Sequence, residues 1–512
     1  MLSVSVFLGS AAFFAVIMYI LQRWSKSHPG HAIRRPGRTG VLPPQPAGWP
    51  LLGHLMLLLK GHRHRRIQSV GREMGGCMTL KLGPRKSVWI TSYGYFRDAV
   101  INHAWEFAGR PPEVTNSDFS SEHGIAASGV SEPEREIRKF TLISLRSFGF
   151  GKSTMQDTML HEVNELVKTF RQHCPTHDRP LPLPFNPRNS LANAAANVIS
   201  SVLMGKRFQP DDPNFIRLSD DLTEAIKKVM ISQQARSFPL LRLLFLNRGI
   251  KSAHDAFRRA HDFVTEIVQE HVHQNQPRMP RDFADDWLDK AADEAAKGKT
   301  TFAVEHLPAK LLDLFIGGFE TTATAIQWIL LMLLHHPHVQ INVHDEIDRV
   351  IGPCCDGQQI TLEHREHLVY TEAVILETLR KYPLAPYAVP HMCVKETQLG
   401  DYIIPEGTQV MLHLYSILHD PQIFPEPENF RPERFISPEG RLSIPEQFVP
   451  FSAGRRACIG EQLARKELFV FFANIMHSFT VSARDPAQLP SLNENEGSVM
   501  YPDPYEIILH ER

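Results

Sequence analysis

The chain has 512 residues, 43% apolar and 22% charged, and is therefore long and apolar enough to bury a large core. Its 55 basic and 56 acidic side chains give a net charge of −1, which argues against a nucleic-acid protein held by bulk charge. Six cysteines without a C-x-x-C pair exclude a disulfide framework and a zinc ribbon.

Residues 1–22 are predicted to form a transmembrane anchor. Leu2–Leu21 carries no charge, and about 20 helical residues at ~1.5 Å each span the ~30 Å core of a bilayer. Arg23 and Lys26 follow directly, which predicts that the rest of the chain lies in the cytoplasm. The alternative is a cleaved signal peptide, but no basic residue precedes the run and no small-x-small site follows it.

A linker is predicted over residues 23–50, basic at its start and rich in proline at its end. Four prolines within Leu42–Pro50 impose stiff, extended backbone. This segment therefore resembles a spacer between the anchor and the body of the protein.

Residues 51–512 are predicted to form one domain that is mainly α-helical with a small β part. Two β-prone runs flank Gly83 and predict a hairpin, and several long stretches have helical apolar spacing. The predicted strands are Cys77–Leu82, Ser87–Thr91 and Gln409–Leu414, and the predicted helices are Met159–Phe170, Leu218–Met230, Ala253–His273, 311–334, 365–381 and 459–476.

The most apolar stretch of the body, residues 311–334, has two interpretations. It is long enough for a second membrane span, or it is a helix buried in a large α-helical core. A carboxylate near its middle, Glu320, costs several kcal/mol in lipid. Together with Gly317 and Gly318, this favours the buried core helix.

The sharpest motif surrounds Cys458. This cysteine precedes a predicted helix, whose free N–H groups and dipole stabilise a thiolate suited to one axial bond to haem iron. Gly454 permits a tight turn, and Arg456 can pair with a carboxylate of a cofactor. Phe451 can shield the sulfur, and Gly460 lets the helix start pass close to a flat cofactor. An inert buried cysteine is the alternative; a zinc ligand lacks neighbouring Cys or His.

This motif, F-x-x-G-x-R-x-C-x-G, is similar to the haem-binding loop of the cytochrome P-450 monooxygenases. The resemblance extends over essentially all of the chain and is greatest to animal microsomal members. It implies the cytochrome P-450 fold and a haem b (iron protoporphyrin) whose iron takes its axial thiolate, as metal ligand, from Cys458.

The segment Gly317–Thr322 resembles the signature of the family's central helix. By that resemblance Gly318 helps to open a groove beside the haem, and Glu320 and Thr321 relay protons to bound oxygen. The structural alternative is that the threonine hydroxyls bond back to carbonyls one turn earlier. Phe319 is bulky for its position and is expected to narrow the pocket.

Other family marks concern the scaffold and the haem edge. Glu377 and Arg380 match the E-x-x-R helix, and Arg434 supplies the arginine that the family pairs with it. By the same resemblance His391 meets a haem propionate. A W-x-x-x-R pattern, which also serves the propionates, keeps Arg138.

The tryptophan of that pattern is replaced by Glu134. A carboxylate repels a propionate by ~1 kcal/mol at 4 Å in water. Glu134 is therefore expected either to face solvent or to pair with Arg138.

Together these features predict a membrane-anchored haem-thiolate monooxygenase of the endoplasmic reticulum, with a single-pass anchor and its catalytic domain facing the cytoplasm. It would insert one oxygen atom from dioxygen into a lipophilic steroid, fatty acid or xenobiotic. NADPH–cytochrome P-450 reductase would supply the electrons, with cytochrome b5 as a further donor. The predicted docking face contains Arg138, Lys139, Arg455 and Lys466. The alternatives are a haem-thiolate isomerase or dehydratase that acts on peroxides, and a haem sensor without turnover.

Overall fold

The computed structural model describes residues 42–49, 52–59, 61–83, 85–115, 123–148, 153–209, 212–235, 247–274, 278–354 and 358–512. The predicted anchor and most of the predicted linker lie outside these residues.

The described part of the chain is mostly helical, as the sequence predicts. Short 3₁₀ or π turns occupy Asp98–Asn102, Val304–His306, Leu362–Glu366, Pro432–Phe435 and Gly454–Arg456. The α-helices are α1 (Leu55–Leu59), α2 (Arg63–Glu73), α3 (Tyr93–Arg97), α4 (Pro112–Thr115), α5 (Glu132–Ser147), α6 (Ser153–Arg171), α7 (Arg188–Met204), α8 (Pro213–Ala235), α9 (Asn247–Gln274), α10 (Phe283–Ala295), α11 (Leu307–His335), α12 (Pro337–Val350), α13 (Val369–Lys381), α14 (Leu414–Leu418) and α15 (Glu461–Ser478).

The β part consists of short strands. A four-stranded sheet has the order β1-β2-β6-β3, and its β1–β2 hairpin confirms the one predicted around Gly83. The remaining strands pair two by two as β4–β5, β7–β10 and β8–β9. The strands are β1 (Cys77–Leu82), β2 (Arg85–Ile90), β3 (His391–Met392), β4 (Thr397–Leu399), β5 (Tyr402–Ile404), β6 (Gln409–Leu412), β7 (Phe479–Ala483), β8 (Glu494–Glu496), β9 (Met500–Pro502) and β10 (Ile507–Glu511).

Helix α11 runs through the core of the protein. It belongs to the helix Val304–His335, which is long and apolar enough to cross a membrane, but 72% of its most apolar window is buried within the protein. Its side chains from Thr322 to Leu334 are all buried. This burial confirms the core-helix interpretation, because the apolar surface is already covered by neighbouring helices.

Helix α7 packs closely against α11 at a glycine. A Cβ added at Gly318 would lie 2.7 Å from the side chain of Ile199, closer than two carbon atoms can approach. The small residue therefore permits the two helices to meet at this level. Both residues line the same cavity, which makes this contact part of the site described next.

Candidate active site

A cavity lies between α11 and the loop that precedes α15. It holds about 360 Å³ of water-accessible space, and most of its wall is apolar. The sequence-predicted site residues that line it are Arg138, Gly318, Thr321, His391, Phe451, Arg456, Cys458 and Gly460. Glu320 and Gly454 do not line it.

Cys458 lies inside the protein with its surface open to the cavity. Its amide N–H donates to the carbonyl of Phe451 at 3.0 Å, which closes the loop on itself. Burial raises the pKa of the thiol above its usual value, and hydrogen bonds from the amides of Gly460 and Glu461, with the charge of Arg138, oppose this shift without reversing it. The amino end of α15 offers the sulfur hydrogen-bond donors, but in the protein chain alone burial outweighs them.

The two glycines of the loop have different environments. Gly454 has φ +74°, and an added Cβ would lie 2.0 Å from the carbonyl oxygen of Val100, so this residue shapes the turn rather than the cavity wall. An added Cβ at Gly460 would meet no protein atom within 4 Å. Gly460 lines the cavity, which leaves room there for a bound group.

Three guanidinium groups line one side of the cavity. Arg456 donates to the carbonyls of Ala108, Ser128 and Gly129 at 2.6–2.9 Å, and Arg138 donates to the carbonyl of Ala457. The third, Arg110, was not among the sequence-predicted residues. Its donors bond the carbonyls of Ala126, Val389 and Pro390 at 2.9–3.0 Å.

These arginines make no carboxylate ion pair among the described residues. The hydrogen bonds of Arg110, Arg138 and Arg456 go to carbonyls, and the carboxylate of Glu134 acts on Arg456 without bonding to it. Burial, with repulsion from Arg138, lowers the pKa of Arg456 to about 10, and burial with repulsion from both neighbours lowers that of Arg110 well below its usual range. Such a cluster fits a bound dianion, and the two propionates of haem match it in charge.

His391 lies at the same edge of the cavity. Its Nδ1–H donates to the carbonyl of Phe107 at 2.7 Å, and burial, with repulsion from Arg110, lowers its pKa to about 3. The ring is therefore neutral at physiological pH. The bond to Phe107 fixes the ring and leaves Nε2 as its second polar atom.

The structure agrees with both interpretations that the sequence left open for Thr321. Its hydroxyl donates to the carbonyl of Gly317 at 2.6 Å, one turn earlier, and its side chain lines the cavity. The back-bond fixes the rotamer so that the oxygen atom remains beside the open groove. The residue is thus placed to exchange a proton with a molecule in the cavity.

The prediction for Glu320 needs correction. Its carboxylate accepts from Arg188 at 2.9 Å and from Thr223 at 3.0 Å, and the side chain is buried outside the cavity. The physical reason is helical geometry: successive residues differ by about 100° around the axis, so Glu320 and Thr321 face different neighbours. The side chains of Glu320 and Thr321 are therefore not placed to pass a proton directly from one to the other.

A second correction concerns Phe319, and a further acid was missed. Phe319 stacks on Phe315, with ring centroids 5.1 Å apart, inside the core rather than in the cavity wall.

Glu467 on α15 is buried and lines the cavity, and burial raises its pKa well above the usual range. The sequence signal that could have identified Glu467 is an acidic residue among the apolar residues of the predicted helix 459–476.

The predicted scaffold triad is present. The carboxylate of Glu377 accepts from Arg380 at 2.7 and 2.9 Å and forms an ion pair with Arg434 at 3.0 Å. All three side chains are almost fully buried. Arg380 also donates to the carbonyls of Leu418 and Pro427. The triad therefore connects α13 to the proline-rich segment before the cysteine loop.

Neither expectation for Glu134 holds. Its carboxylate lies 3.7 Å from the Nζ of Lys310, a buried lysine in the first turn of α11, and not beside Arg138. Lys310 also donates to the carbonyl of Gly124 at 3.2 Å. Burial lowers the pKa of Lys310, whereas the carboxylates of Glu134 and Asp313 raise it. The glutamate thus serves as counter-ion to a buried lysine.

The fold and the site define a class of protein. A cysteine at a helix amino terminus faces an apolar cavity whose edge carries unneutralised arginines, an arrangement that suits a haem held by a thiolate. A family profile described as Cytochrome P450 matches residues 43–509.

Individual relatives agree with that profile. Cytochrome P450 2C44 of Mus musculus is 34% identical over 502 residues, 96% of each chain. Cytochrome P450 2C23 of Rattus norvegicus is 34% identical over 480 residues (92% and 93%), and cytochrome P450 2A13 of Homo sapiens is 32% identical over 469 (91% and 92%). The chain belongs to the cytochrome P450 family. It is an oxidoreductase, a monooxygenase with a haem cofactor on a cysteine thiolate.

Proposed function

We propose that this enzyme inserts one oxygen atom from dioxygen into a lipophilic substrate, a steroid, fatty acid or xenobiotic, with electrons from NADPH delivered by NADPH–cytochrome P-450 reductase. The observation that carries the proposal is the cavity itself, where the Cys458 thiol and the Thr321 hydroxyl share one mostly apolar space. An apolar wall selects apolar ligands because it gives a polar group no partner.

In this proposal the cofactor is haem b, and Cys458 is its axial ligand. When bound, haem b supplies the iron at which dioxygen is reduced and cleaved. Arg110, Arg138 and Arg456 would neutralise the propionates. The single N–H of neutral His391 is bonded to the carbonyl of Phe107, so its Nε2 would reach a propionate only through a bridging water. Phe451, Gly318 and Gly460 line the cavity, where Phe451 would shield the sulfur and the two glycines would leave room for the bound cofactor.

Thr321 is the proposed proton donor of the chain. Its hydroxyl is held by the Gly317 carbonyl and faces the cavity, so a water molecule entering the groove can return the proton that it gives up. Glu320, fixed by Arg188, holds the neighbouring turn of α11 and acts on Thr321 only through that backbone.

The proposed docking face for the reductase, and for cytochrome b5 as a further donor, surrounds the cysteine loop. Lys139 and Arg455 are exposed there and Lys466 is partly buried, whereas Arg138 turns inward to bond Ala457 and lines the cavity. Lys139, Arg455 and Lys466 therefore remain in the proposed face for an acidic partner, and Arg138 leaves it.

The proposed location is the membrane of the endoplasmic reticulum, with residues 1–22 as a single-pass anchor and the catalytic domain in the cytoplasm. The charge-free run Leu2–Leu21 and the basic residues after it support this topology. Likeness to microsomal members of the family points the same way.

The proposal is tested in two steps. A library of small lipophiles is first screened for substrate-induced shifts of the Soret band. The best ligands are then incubated with NADPH and ¹⁸O₂, with and without the reductase. We expect product labelled with one ¹⁸O atom only when the reductase is present.

The docking face is tested in the same assay. The reversal Arg455→Glu is expected to lower the rate and weaken its salt dependence, with Lys251→Glu, an exposed lysine on α9, as the matched control. Turnover of a lipid peroxide without NADPH would favour the isomerase instead, and ligand binding without any turnover would favour the sensor.

A further inference from the structure

Three side chains converge at the start of α2, where the helix meets strand β8. They are His62 and His64, two residues apart, and Glu494, which follows them in the chain by about 430 residues. Their nearest ring nitrogens and carboxylate oxygens all lie within 4.8 Å of one another. Two imidazoles and one carboxylate are the ligand set of open zinc sites, in which water completes the tetrahedron.

His64 is oriented for a ligand at its Nε2. Its Nδ1 lies 2.6 Å from a carboxylate oxygen of Glu496, and because a carboxylate only accepts, this nitrogen carries a proton. The ring is fully buried and packs edge-on against Tyr415 at 4.4 Å. A carboxylate behind a histidine is the arrangement that orients histidine ligands in metal proteins.

The atoms that face the centre of the cluster form an ion pair but no aligned hydrogen bond. The Nε2 of His64 and the Oε2 of Glu494 are both buried and lie 2.6 Å apart, with the oxygen off the axis along which Nε2 would bond. A hydrogen bond needs that alignment, whereas two ligands of one metal approach it from different directions. Tetrahedral ligands at ~2.0–2.1 Å stand about 3.4 Å apart, so binding requires the 2.6 Å contact between His64 and Glu494 to open by about 1 Å and the His62 ring to move in from 3.9 Å.

The backbone presents the third ligand. His62 is the residue before α2 and has φ +56°, in the left-handed region that a histidine adopts at a cost. Its Nδ1 lies 3.9 Å from the Oε2 of Glu494, and its side chain is about half exposed. The cluster is therefore reachable from solvent on the side of His62.

The neighbouring arginines bind the outer oxygens of the two carboxylates. Arg65 binds the other oxygen of Glu494 at 3.2 Å, and Arg63 binds the other oxygen of Glu496. Each carboxylate thus has one oxygen on an arginine and one on His64. By contrast, in the buried group His271, Asp282 and Asp285 the inward oxygens bond to ring, amide or guanidinium donors.

We propose that His62, His64 and Glu494 bind a divalent transition-metal cation of the zinc class, with Glu496 as the positioning residue behind His64. The metal would fasten the start of α2 to the β8–β9 hairpin. That hairpin bonds the cavity wall, since the amide of Met500 donates to the carbonyl of Leu384, a cavity residue. Zinc would therefore stabilise the wall as well as the junction.

The test measures zinc on the full-length holoenzyme. The protein is stripped with a chelator and dialysed against Zn²⁺, and bound zinc per haem is determined by mass spectrometry. Wild type and the control His177→Asn, an exposed histidine elsewhere, are expected to bind one equivalent more than His62→Asn and Glu494→Gln. Glu496→Gln should weaken binding about 10–100-fold. Equal zinc in all of these variants would overturn the proposal.

A second measurement does not depend on variants that fold. Zn²⁺ is expected to protect His62 from acylation by diethyl pyrocarbonate, while His177 stays reactive at an unchanged rate. If His62 reacts equally fast with and without zinc, the cluster is an ion-paired histidine between two carboxylates, and the proposed site is wrong.

Discussion

The cysteine loop and the opposite wall of the cavity differ in how much of their structure is local. The loop, residues 451–460, closes on itself through a bond from Cys458 to Phe451 and a turn at Gly454, and its Arg456 adds bonds to the distant carbonyls of Ala108 and Ser128. The roof segment, residues 123–128, is held by side chains of α11 more than 180 residues away: Asp313 accepts from the amides of Ile125 and Ala126, and Lys310 donates to Gly124.

The difference has a consequence for substitutions. Phe451, Gly454, Arg456, Cys458 and Gly460 of the cysteine loop each make their own contact, so a single change at one of them acts directly on the site. The roof depends on pairs, so a single change leaves a buried partner unsatisfied, while a matched double change restores the balance.

The largest effect is expected from Cys458→Ser. A serine hydroxyl is not ionised at neutral pH, so the axial thiolate is lost. The reduced, carbon monoxide-bound wild type should show the red-shifted Soret band of a thiolate haem, and the variant should not. Cys354→Ser, which lies outside the cavity, is the control and should keep the band. An unshifted wild-type band would contradict the thiolate ligand itself.

The second effect concerns the buried triad behind the loop. Glu377→Ala leaves Arg380 and Arg434 buried without their carboxylate, and breaking such a cluster costs about 3–5 kcal/mol of the free energy of unfolding. Urea unfolding and the haem content of the purified protein measure this loss. Glu439→Ala, at an exposed position of the same segment, should change neither. Equal stability of the two variants would mean that the triad is not structural.

A smaller and more specific effect is expected from Thr321→Ala. Haem binding should persist, because the side chain bonds only the Gly317 carbonyl. Without the hydroxyl the delivery of protons is less ordered, and product per NADPH should fall about tenfold while peroxide rises. Thr321→Ser keeps the hydroxyl and should retain most of the coupling. If the alanine variant is equally well coupled, water alone delivers the protons.

The same contrast decides what could be predicted from the sequence. The cysteine motif is contiguous and α11 has an unusually apolar run, so both could be recognised without coordinates. The direction of Glu320 could not, because its partner Arg188 lies on another helix and adjacency to Thr321 does not place both on one face. The Glu134–Lys310 pair joins residues 176 positions apart and has no local pattern. Arg110 was missed because its partners are backbone carbonyls from two other segments.

The last prediction uses the Glu134–Lys310 pair to distinguish how the roof segment and the propionate contacts each contribute to haem retention. Relatives with the family pattern have tryptophan at position 134, whose indole N–H can reach a propionate. In this chain Glu134→Trp alone also removes the counter-ion of buried Lys310. The hydrogen bond that the indole gains is therefore offset by weaker attachment of the roof segment. We therefore expect Glu134→Trp to release haem to apomyoglobin no more slowly than wild type.

The double variant Glu134→Trp with Lys310→Met removes the unpaired charge and keeps the indole. Haem transfer to apomyoglobin should then slow about fivefold, which corresponds to one hydrogen bond of about 1 kcal/mol. Lys310→Met alone is the control for the roof, and Arg138→Ala, which removes a cavity cation, should instead speed transfer about tenfold. If the single tryptophan variant slows transfer as much as the double variant does, Lys310 does not need Glu134, and the bonds of Asp313, Arg110 and Arg456 to the roof segment are sufficient to hold it.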